Sequence, residues 1–403
     1  MAERFLRNIF VVLIGAVMLS ACSDDDGGND EPLPEPPVET VGRTVLVYMV
    51  ADNNLGSSWS FNSKDINEML KGAAAGDIHD GRLVVYHNRP GTDNGNAPLL
   101  LEITAQGVDT LKHYPDDTTV YSIEVDRMRE VIADAKELAP ANDYGIVFWG
   151  HATSWVDIDS FTSSKTPRSY GSDRNRWMSL KSMAKALEGE QFSFVYFDCC
   201  LMGTVEVAYE LREITPYIIA SPTELEGEGM PYHLNLRHFF ADGKPDVVGM
   251  AKSTFDYYDA RPECRCQMTV IDTSALDELA EVSRAIFQTQ TAYPDNLSSV
   301  QALSKRIAGT PSNYSSCRPV YDMEDYMRVL TADRQDLMEA WTTVLGKTVA
   351  YAATTDYEYT GIRINRYCGL GSYVILEEAF KNYGDYTSTR WWTDVVSQSP
   401  LYK

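Results

Sequence analysis

The stretch FVYFDCCLMGTVEVAYEL, residues 194–211, joins a short apolar run to a segment with helical periodicity. Residues 194–197 are apolar at every position, which is typical of a strand buried on both faces. The apolar side chains that follow recur at helical spacing, at Leu201, Val205, Ala208 and Leu211. We therefore expect a helix to follow the strand at once, as in the repeating unit of an α/β sheet.

The same alternation extends over much of the chain. Further apolar runs predict strands at residues 44–50, 82–88, 144–150 and 217–223. Helical periodicity recurs at roughly 124–139 and 179–188. The pattern predicts an α/β fold, with a mostly parallel sheet sandwiched by helices.

The N-terminus has the layout of an export signal. Arg4 and Arg7 precede the apolar stretch IFVVLIGAVML, which is too short to predict a membrane span with confidence. The stretch ends in LSAC, which resembles a bacterial lipobox, where signal peptidase cuts before the cysteine and that cysteine carries lipid. We predict lipidation of Cys22 in an exported bacterial lipoprotein of the outer membrane or cell surface; the alternative is a plain secretory signal with an incidental cysteine.

Four parts of the chain are expected in order. A lipoprotein signal peptide at 1–22 precedes an acidic, Gly- and Pro-rich tether at 23–42, which has almost no apolar side chains to bury. The main α/β domain is predicted at 43–260. Beyond it the alternation weakens, and helical stretches near 274–291 and 320–345 predict a C-terminal α+β region at 261–403, packed on the core.

Charge and cysteine content exclude some functions. The formal net charge of −23 would repel the phosphate backbone of nucleic acid and attract cationic substrates. Without Cys22, six of the seven cysteines remain, and this even number permits disulfides in an exported protein. A chain of this size does not need disulfides as a framework. Cys264 and Cys266 have no second pair or histidine at ligand spacing, so we predict no metal site there.

Two reactive residue types follow neighbouring predicted strands. Functional groups of open α/β sheets gather beyond the carboxyl ends of the strands, where His151 follows one strand and Cys200 another. Strand alternation places Asp198 and Cys200 on one side and Cys199 on the other. We expect Cys200 to open the following helix, where the helix dipole favours its thiolate. Histidine is the usual partner of a nucleophilic thiol, but a buried cysteine near a core histidine remains the alternative.

Four segments in order resemble the clostripain family of cysteine peptidases, which shares the caspase-like fold: RTVLVYMVADNNL, DYGIVFWGHATSW, FDCCLMGTVEVAYEL and ASPTELEGEGMPY. The similarity is clear over 43–260 and loose beyond. The family's Phe-Asp-Ala-Cys-Leu-Met stretch aligns with residues 197–202, which implies that Cys200 is the nucleophile and that Cys199 replaces an alanine. The family's histidine aligns with His151.

The resemblance also implies an oxyanion hole and a specificity pocket. Amides near Gly150, Ala152 and Cys200 are expected to bind the oxyanion. The family commonly has glycine where this chain has Ala152, and a turn that needs positive φ there would displace the hole. Relatives cleave after Arg or Lys, with an acidic pocket residue at the position of Asp198, although Asp198 could instead cap a helix. Glu228 lies where relatives often have aspartate, so we expect it to add a second carboxylate.

Relatives are often matured by internal cleavage, and some depend on calcium. The polar segment between the strands that end near His151 and Asp198 offers cut sites at Lys165, Arg168, Arg174 and Arg176. Calcium is possible by resemblance, and Asp157, Asp159 and Asp173 are candidate ligands, but their spacing is not that of an EF-hand and we predict no metal ligand. No cofactor is needed for the chemistry itself.

The resemblance therefore implies a lipid-anchored cysteine endopeptidase that cleaves after Arg or Lys through a Cys/His dyad and a thioester acyl-enzyme. Its partners would be peptides or proteins with basic residues, and the membrane through the N-terminal lipid. The main alternative is a catalytically degenerate surface lipoprotein of the same fold that binds peptide or glycan. A redox role for Cys199 and Cys200 is disfavoured, since a vicinal disulfide is strained and the C-x-x-C spacing is absent.

Overall fold

The computed structural model describes residues 39–156, 169–305 and 318–403. In chain order, the strands of these residues are β1 (Val41–Val50), β2 (Arg82–Asn88), β3 (Leu99–Thr104), β4 (Gly107–His113), β5 (Ala141–Trp149), β6 (Tyr170–Asp173), β7 (Arg176–Met178), β8 (Phe194–Asp198), β9 (Tyr217–Ala220), β10 (Gln267–Asp272), β11 (Tyr321–Asp322), β12 (Val349–Thr354) and β13 (Gly371–Ser372). The α-helices are α1 (Asn54–Ser57), α2 (Phe61–Ala74), α3 (Val125–Leu138), α4 (Leu180–Ala186), α5 (Val205–Glu210), α6 (Tyr232–Phe239), α7 (Val247–Asp259), α8 (Leu276–Phe287), α9 (Met323–Leu330), α10 (Gln335–Thr348) and α11 (Arg390–Asp394).

The central sheet has the strand order β12-β10-β9-β8-β5-β1-β2-β3-β4 in the described part of the chain. Strands β2, β1, β5, β8 and β9 are parallel neighbours, whereas β3, β4, β10 and β12 pair antiparallel at the two edges. The five parallel strands are those predicted from the apolar runs. The α/β fold with a mostly parallel sheet is thus confirmed.

Side chains of the parallel strands alternate between two apolar cores, one on each face of the sheet. Tyr48 and Phe148 belong to one core, and Val47 and Val147 belong to the other. Helices α3, α4 and α5 cover the first face, and α2, α6 and α7 cover the second. Because both faces are covered, every position of such a strand is buried, which explains why the runs are apolar throughout.

The C-terminal region is part of the same sheet. Strands β10 and β12 extend the sheet beyond β9, and the described residues belong to one compact unit. The region predicted at 261–403 as an α+β part packed on the core therefore contributes two strands to the core sheet itself. The helical stretch predicted near 320–345 is divided into α9 and α10, which the segment 331–334 separates.

Candidate active site

The predicted catalytic residues follow adjacent parallel strands. Strand β5 pairs with β8 in a register that places Trp149 opposite Asp198. His151 and Cys200 each lie two residues beyond this pair, at the carboxyl edge of the sheet. The strands that lead to His151 and Cys200 are therefore parallel neighbours, as the sequence analysis assumed.

Cys200 lies in a tight turn between β8 and α5. The next residue, Leu201, has a φ of +66°, and its amide donates to the Thr223 carbonyl at 2.9 Å. Helix α5 begins only at Val205, and the Thr204 side chain caps it. The prediction that Cys200 opens this helix is therefore wrong, because the chain first makes a turn that removes the thiol from the helix dipole.

Burial dominates the electrostatics of the nucleophile. The half-buried Cys200 Sγ accepts a hydrogen bond from the Leu225 amide at 3.4 Å. Burial raises the pKa of the Cys200 thiol to about 12, and the nearby charges of Glu224 and Asp198 act in the same direction. The thiol is thus neutral near pH 7 in this state and needs a base to react.

Cys199 has a different environment. It is 3% exposed and lies in the same apolar core as Phe197, whereas Asp198 contacts Met230 and Tyr232 of the opposite core. Both Cys199 and Cys200 are free cysteines. Strand alternation thus separates Asp198 from Cys199 as predicted, and Cys200 lies in the turn that follows the end of β8.

The imidazole of His151 is held by a residue that the sequence analysis did not assign. Its Nε2 lies 2.7 Å from Oδ1 of Asn54, at the first residue of α1. With the amide oxygen as acceptor, Nε2 carries the proton and Nδ1 keeps a lone pair. Asn54 follows strand β1 at the same edge of the sheet as His151, so the strand-end rule could have identified it.

His151 is shielded from water on one side. The ring of Trp177 packs against its imidazole with centroids 5.8 Å apart. Burial lowers the pKa of His151. Within the described residues no hydrogen bond joins His151 to Cys200, so each has its own partner in the resting state. A neutral imidazole with a lone pair on Nδ1 is suited to general-base activation of a neutral thiol.

The predicted oxyanion donors differ in availability. The Gly150 amide donates to the Asp198 carbonyl at 3.4 Å, so it is already engaged. Ala152 forms a β-bridge with Tyr170, and its amide has no acceptor among the described residues. The φ of Ala152 is not positive, whereas that of Gly150 is +144°. The turn therefore does not require glycine at position 152, and alanine there causes no strain.

Asp198, the last residue of β8, is buried. It is 5% exposed, and its two oxygens accept from the Met230 amide at 2.8 Å and from the Tyr232 hydroxyl at 3.0 Å. Burial raises its pKa to about 7. The alternative that Asp198 caps α5 is wrong, since Thr204 does so.

A second buried carboxyl group, Asp65 on α2, was not predicted. The indole Nε1 of Trp149, the residue paired with Asp198, donates to Asp65 Oδ2 at 2.6 Å. Burial raises the pKa of Asp65, and the charge of Asp198 raises it further. Its position on a helix face gave no sequence signal of this contact.

Glu228 and Glu224 occupy different positions relative to the thiol. The Glu228 carboxylate, 54% exposed, forms an ion pair with Arg261 at 2.9 Å on the surface. The half-buried Glu224 precedes Leu225, the residue that contacts Cys200. Burial raises the pKa of Glu224. Glu224, which the sequence analysis did not select, is therefore the carboxylate of this loop that acts on the thiol.

Of the proposed cut sites, Lys165 and Arg168 lie outside the described residues. Arg174 is in the described part, at the tip of the β6–β7 hairpin, with its side chain 10% exposed. Its guanidinium donates to the Thr118 and Val120 carbonyls, each at 2.6 Å. A residue held in this way cannot enter a peptidase cleft in extended form, so Arg174 is not a cut site in this folded state. Arg176 lies within β7.

The described residues do not fit a calcium site. Asp173 accepts from the Ser122 amide at 2.7 Å and from the Arg174 guanidinium at 3.0 Å, so its oxygens already have partners. Asp157 and Asp159 lie outside the described residues. In the described ranges, no group of three or more His, Cys, Asp or Glu side chains could hold a metal ion.

Comparison with known protein families identifies one family that this sequence matches. The sequence model of the clostripain family, peptidase family C11, matches residues 47–395. None of the curated proteins compared with this chain matches it.

Solved structures of C11 proteases are similar over most of the chain. An inactive zymogen C11 protease from Parabacteroides distasonis is 28% identical, with a TM-score of 0.74, over 89% of this chain and 99% of that one. A secreted C11 cysteine protease from Bacteroides thetaiotaomicron, in complex with an irreversible peptide inhibitor, is 25% identical, with a TM-score of 0.71, over 88% and 98%. Separately, the helices among the described residues include none with the length and apolar character needed to cross a membrane.

Proposed function

Since this chain belongs to the clostripain family and is a cysteine-type peptidase, we propose that it is an endopeptidase that cleaves after Arg or Lys through Cys200 and His151. The observation that carries the assignment is the Asn54–His151 contact of 2.7 Å at the carboxyl edge of β5, next to the strand that leads to Cys200. It leaves Nδ1 of His151 as the base available to a thiol.

The proposed acyl transfer begins when Nδ1 of His151 takes the proton of the Cys200 thiol. The sulfur attacks the peptide carbonyl carbon, and the amides of Ala152 and Cys200 stabilise the oxyanion. The imidazolium gives its proton to the leaving amine, and a thioester remains on Cys200. His151 then deprotonates a water molecule, which attacks the thioester and releases the carboxylic acid while the proton returns to sulfur. Asn54 holds Nε2 in every step and keeps one tautomer.

Specificity is proposed to come from Asp198. A guanidinium or ammonium group that reaches this carboxylate gains an ion pair in a site where both groups lose water. A cation bound here would also favour ionisation of the nearby Asp65 carboxyl, whose pKa burial raises. The net charge of −23 favours the approach of basic substrates. While Glu228 is paired with Arg261, its carboxylate adds to this long-range attraction but not to the pocket.

Maturation and anchoring complete the proposal. We place activating cleavage at Lys165 or Arg168, between the two catalytic residues; the description of one relative as a zymogen supports such a step. We also propose export with a lipid on Cys22, in line with a relative described as secreted. Mass spectrometry of the mature N-terminus tests the lipid, because an unmodified terminus elsewhere refutes it. The chemistry requires no cofactor.

An irreversible arginyl acyloxymethyl ketone tests the peptidase directly, since it alkylates an activated cysteine. We expect mass spectrometry to find the label on Cys200, in the wild type and in Cys199→Ala, and to find none on Cys200→Ala. Absence of label from a folded, internally cleaved wild type would favour the degenerate binder of peptide or glycan instead.

A further inference from the structure

We propose that Arg174 is a positioning residue for His151: it anchors the β6–β7 hairpin, and the anchored hairpin holds the imidazole against Asn54. The inference rests on the proposed function, because it assigns His151 as the catalytic base. None of the contacts of the Arg174 side chain is with His151 or Cys200, so its action is through the hairpin.

The hairpin contacts His151 and its neighbour at three points. The Gly171 amide donates to the His151 carbonyl at 2.8 Å, and Tyr170 forms a β-bridge with Ala152. Trp177, on the second strand of the hairpin, packs its ring against the imidazole. The backbone and one face of the imidazole of His151 are therefore held by Tyr170, Gly171 and Trp177.

The guanidinium of Arg174 fastens this hairpin to two other loops. Besides the Thr118 and Val120 carbonyls, it contacts Asp93 Oδ1 at 3.0 Å and lies over the Tyr121 ring at 4.0 Å. Its Nε donates to Asp173 Oδ1 at 3.0 Å, within the hairpin itself. A planar group with several donors can hold all of these acceptors at once, which a lysine cannot do.

The hairpin also contacts the loop that carries Asn54, mostly through its backbone, and Arg174 Nε lies 4.0 Å from Asp52 Oδ2. The Arg174 amide donates to the Asp52 carbonyl at 3.0 Å, and the Asn53 side chain donates to the Ser172 carbonyl at 2.7 Å. Asp52 in turn accepts from the Gly91 amide at 2.8 Å. Both partners of the imidazole, Asn54 and Trp177, thus belong to segments that meet at Arg174.

The backbone of Arg174 supports a specific role for its side chain. Arg174 and Asn175 have φ values of +49° and +65°, the pattern of a two-residue hairpin turn that favours Asn or Gly at both positions. Arginine is unfavourable in this conformation, so its presence is explained by the contacts of its guanidinium.

Loss of the anchor should free the hairpin and admit water to His151. The pKa of the imidazole, which burial lowers, would then rise, and the ring would leave the orientation set by Asn54. A small misplacement of a catalytic group can reduce the rate on the order of a hundredfold.

The test compares Arg174→Gln and Arg174→Lys with the wild type, and Arg176→Gln is the matched control. Arg176 is exposed and stacks on the same Tyr121 ring at 4.3 Å, but it lies past the turn. The rate constant of alkylation of Cys200 by the arginyl ketone is measured from pH 5 to 9 on the internally cleaved enzyme, with thermal melting as the fold control. We expect R174Q to react about 10- to 100-fold more slowly, with the acidic limb of its profile moved to higher pH. R174K should be intermediate, and R176Q should match the wild type.

A merely structural role for Arg174 would reduce the rate equally at every pH, and that result would overturn the inference, as would identical profiles of R174Q and R176Q. If R174Q does not fold, R174K and Trp177→Ala must each move the acidic limb upward. If the wild type itself is not alkylated, the proposed function fails. NMR titration of the His151 imidazole then still tests the role of Arg174, because an unchanged pKa of His151 in R174Q refutes it.

Discussion

Asp198→Asn gives the sharpest test of the specificity pocket, because it removes a charge and keeps the shape. A cation 4 Å from the carboxylate at an effective dielectric constant of about 20 gains about 4 kcal/mol. The pKa of Asp198 is about 7, so loss of its proton at pH 7 costs under about 0.5 kcal/mol. We expect the variant to lose about 3–4 kcal/mol of transition-state binding for arginyl substrates, on the order of 10²- to 10³-fold in kcat/KM.

The assay measures kcat/KM for matched peptides with Arg, Lys or Gln before the cleaved bond. The Gln peptide should change by less than about threefold, because it never formed the ion pair. In the wild type the Arg-to-Gln ratio should rise with pH through about 7, since the ionised carboxylate selects the cation and the protonated form does not. In the variant the ratio should be independent of pH.

A matched control is Tyr232→Phe, which removes a hydrogen bond to Asp198 but leaves its charge. This bond lowers the pKa of Asp198, so the control should keep the preference for Arg and move its pH dependence upward. Equal loss of all substrates in Asp198→Asn would refute the reasoning and leave Asp198 only as the anchor of the Met230 turn.

Three further predictions concern the two cysteines, the Asn54–His151 contact and the buried Glu206 carboxyl. Cys200→Ala should abolish hydrolysis of an arginyl peptide, whereas Cys199→Ala, at a core position, should lower the melting temperature and keep most activity; equal loss in both folded variants would contradict the assignment. Asn54→Ala should lower kcat about 10- to 100-fold with little change in KM, because His151 loses its tautomer and orientation, and an unchanged kcat would refute that role. Burial raises the pKa of Glu206 from 4.5 to about 7, so its folded form holds a proton that the unfolded chain releases and wild-type stability falls as the pH rises through this range. In urea unfolding, the free energy of unfolding of Glu206→Gln should fall by about 2–3 kcal/mol less than that of the wild type between pH 5 and 8. Parallel plots of this free energy against pH for the two proteins would contradict the prediction.

Sequence patterns determined the parallel core and the edge where the chemistry lies. Strands buried on both faces must be apolar throughout, so β1, β5 and β8 could be located from their composition alone. His151 and Cys200 were placed together because parallel strands end at the same edge. The edge hairpin β3–β4 and the pairing of β10 and β12 beyond β9 were not predicted, since the edge strands β4 and β12 carry few buried residues and β10 pairs with segments distant in sequence.

Only the tertiary structure decided the surroundings of the reactive groups. The sequence placed Cys200 at a helix start with a favoured thiolate, but the turn at Leu201 delays α5 and burial raises the thiol pKa instead. Asn54 and Arg174 gained their roles from contacts 97 and 56 residues away along the chain, with His151 and the Thr118 carbonyl. Local periodicity indicates which face of a helix or strand is buried. It does not indicate which distant side chain packs against that face, because this contact depends on how the whole sheet and its loops are arranged.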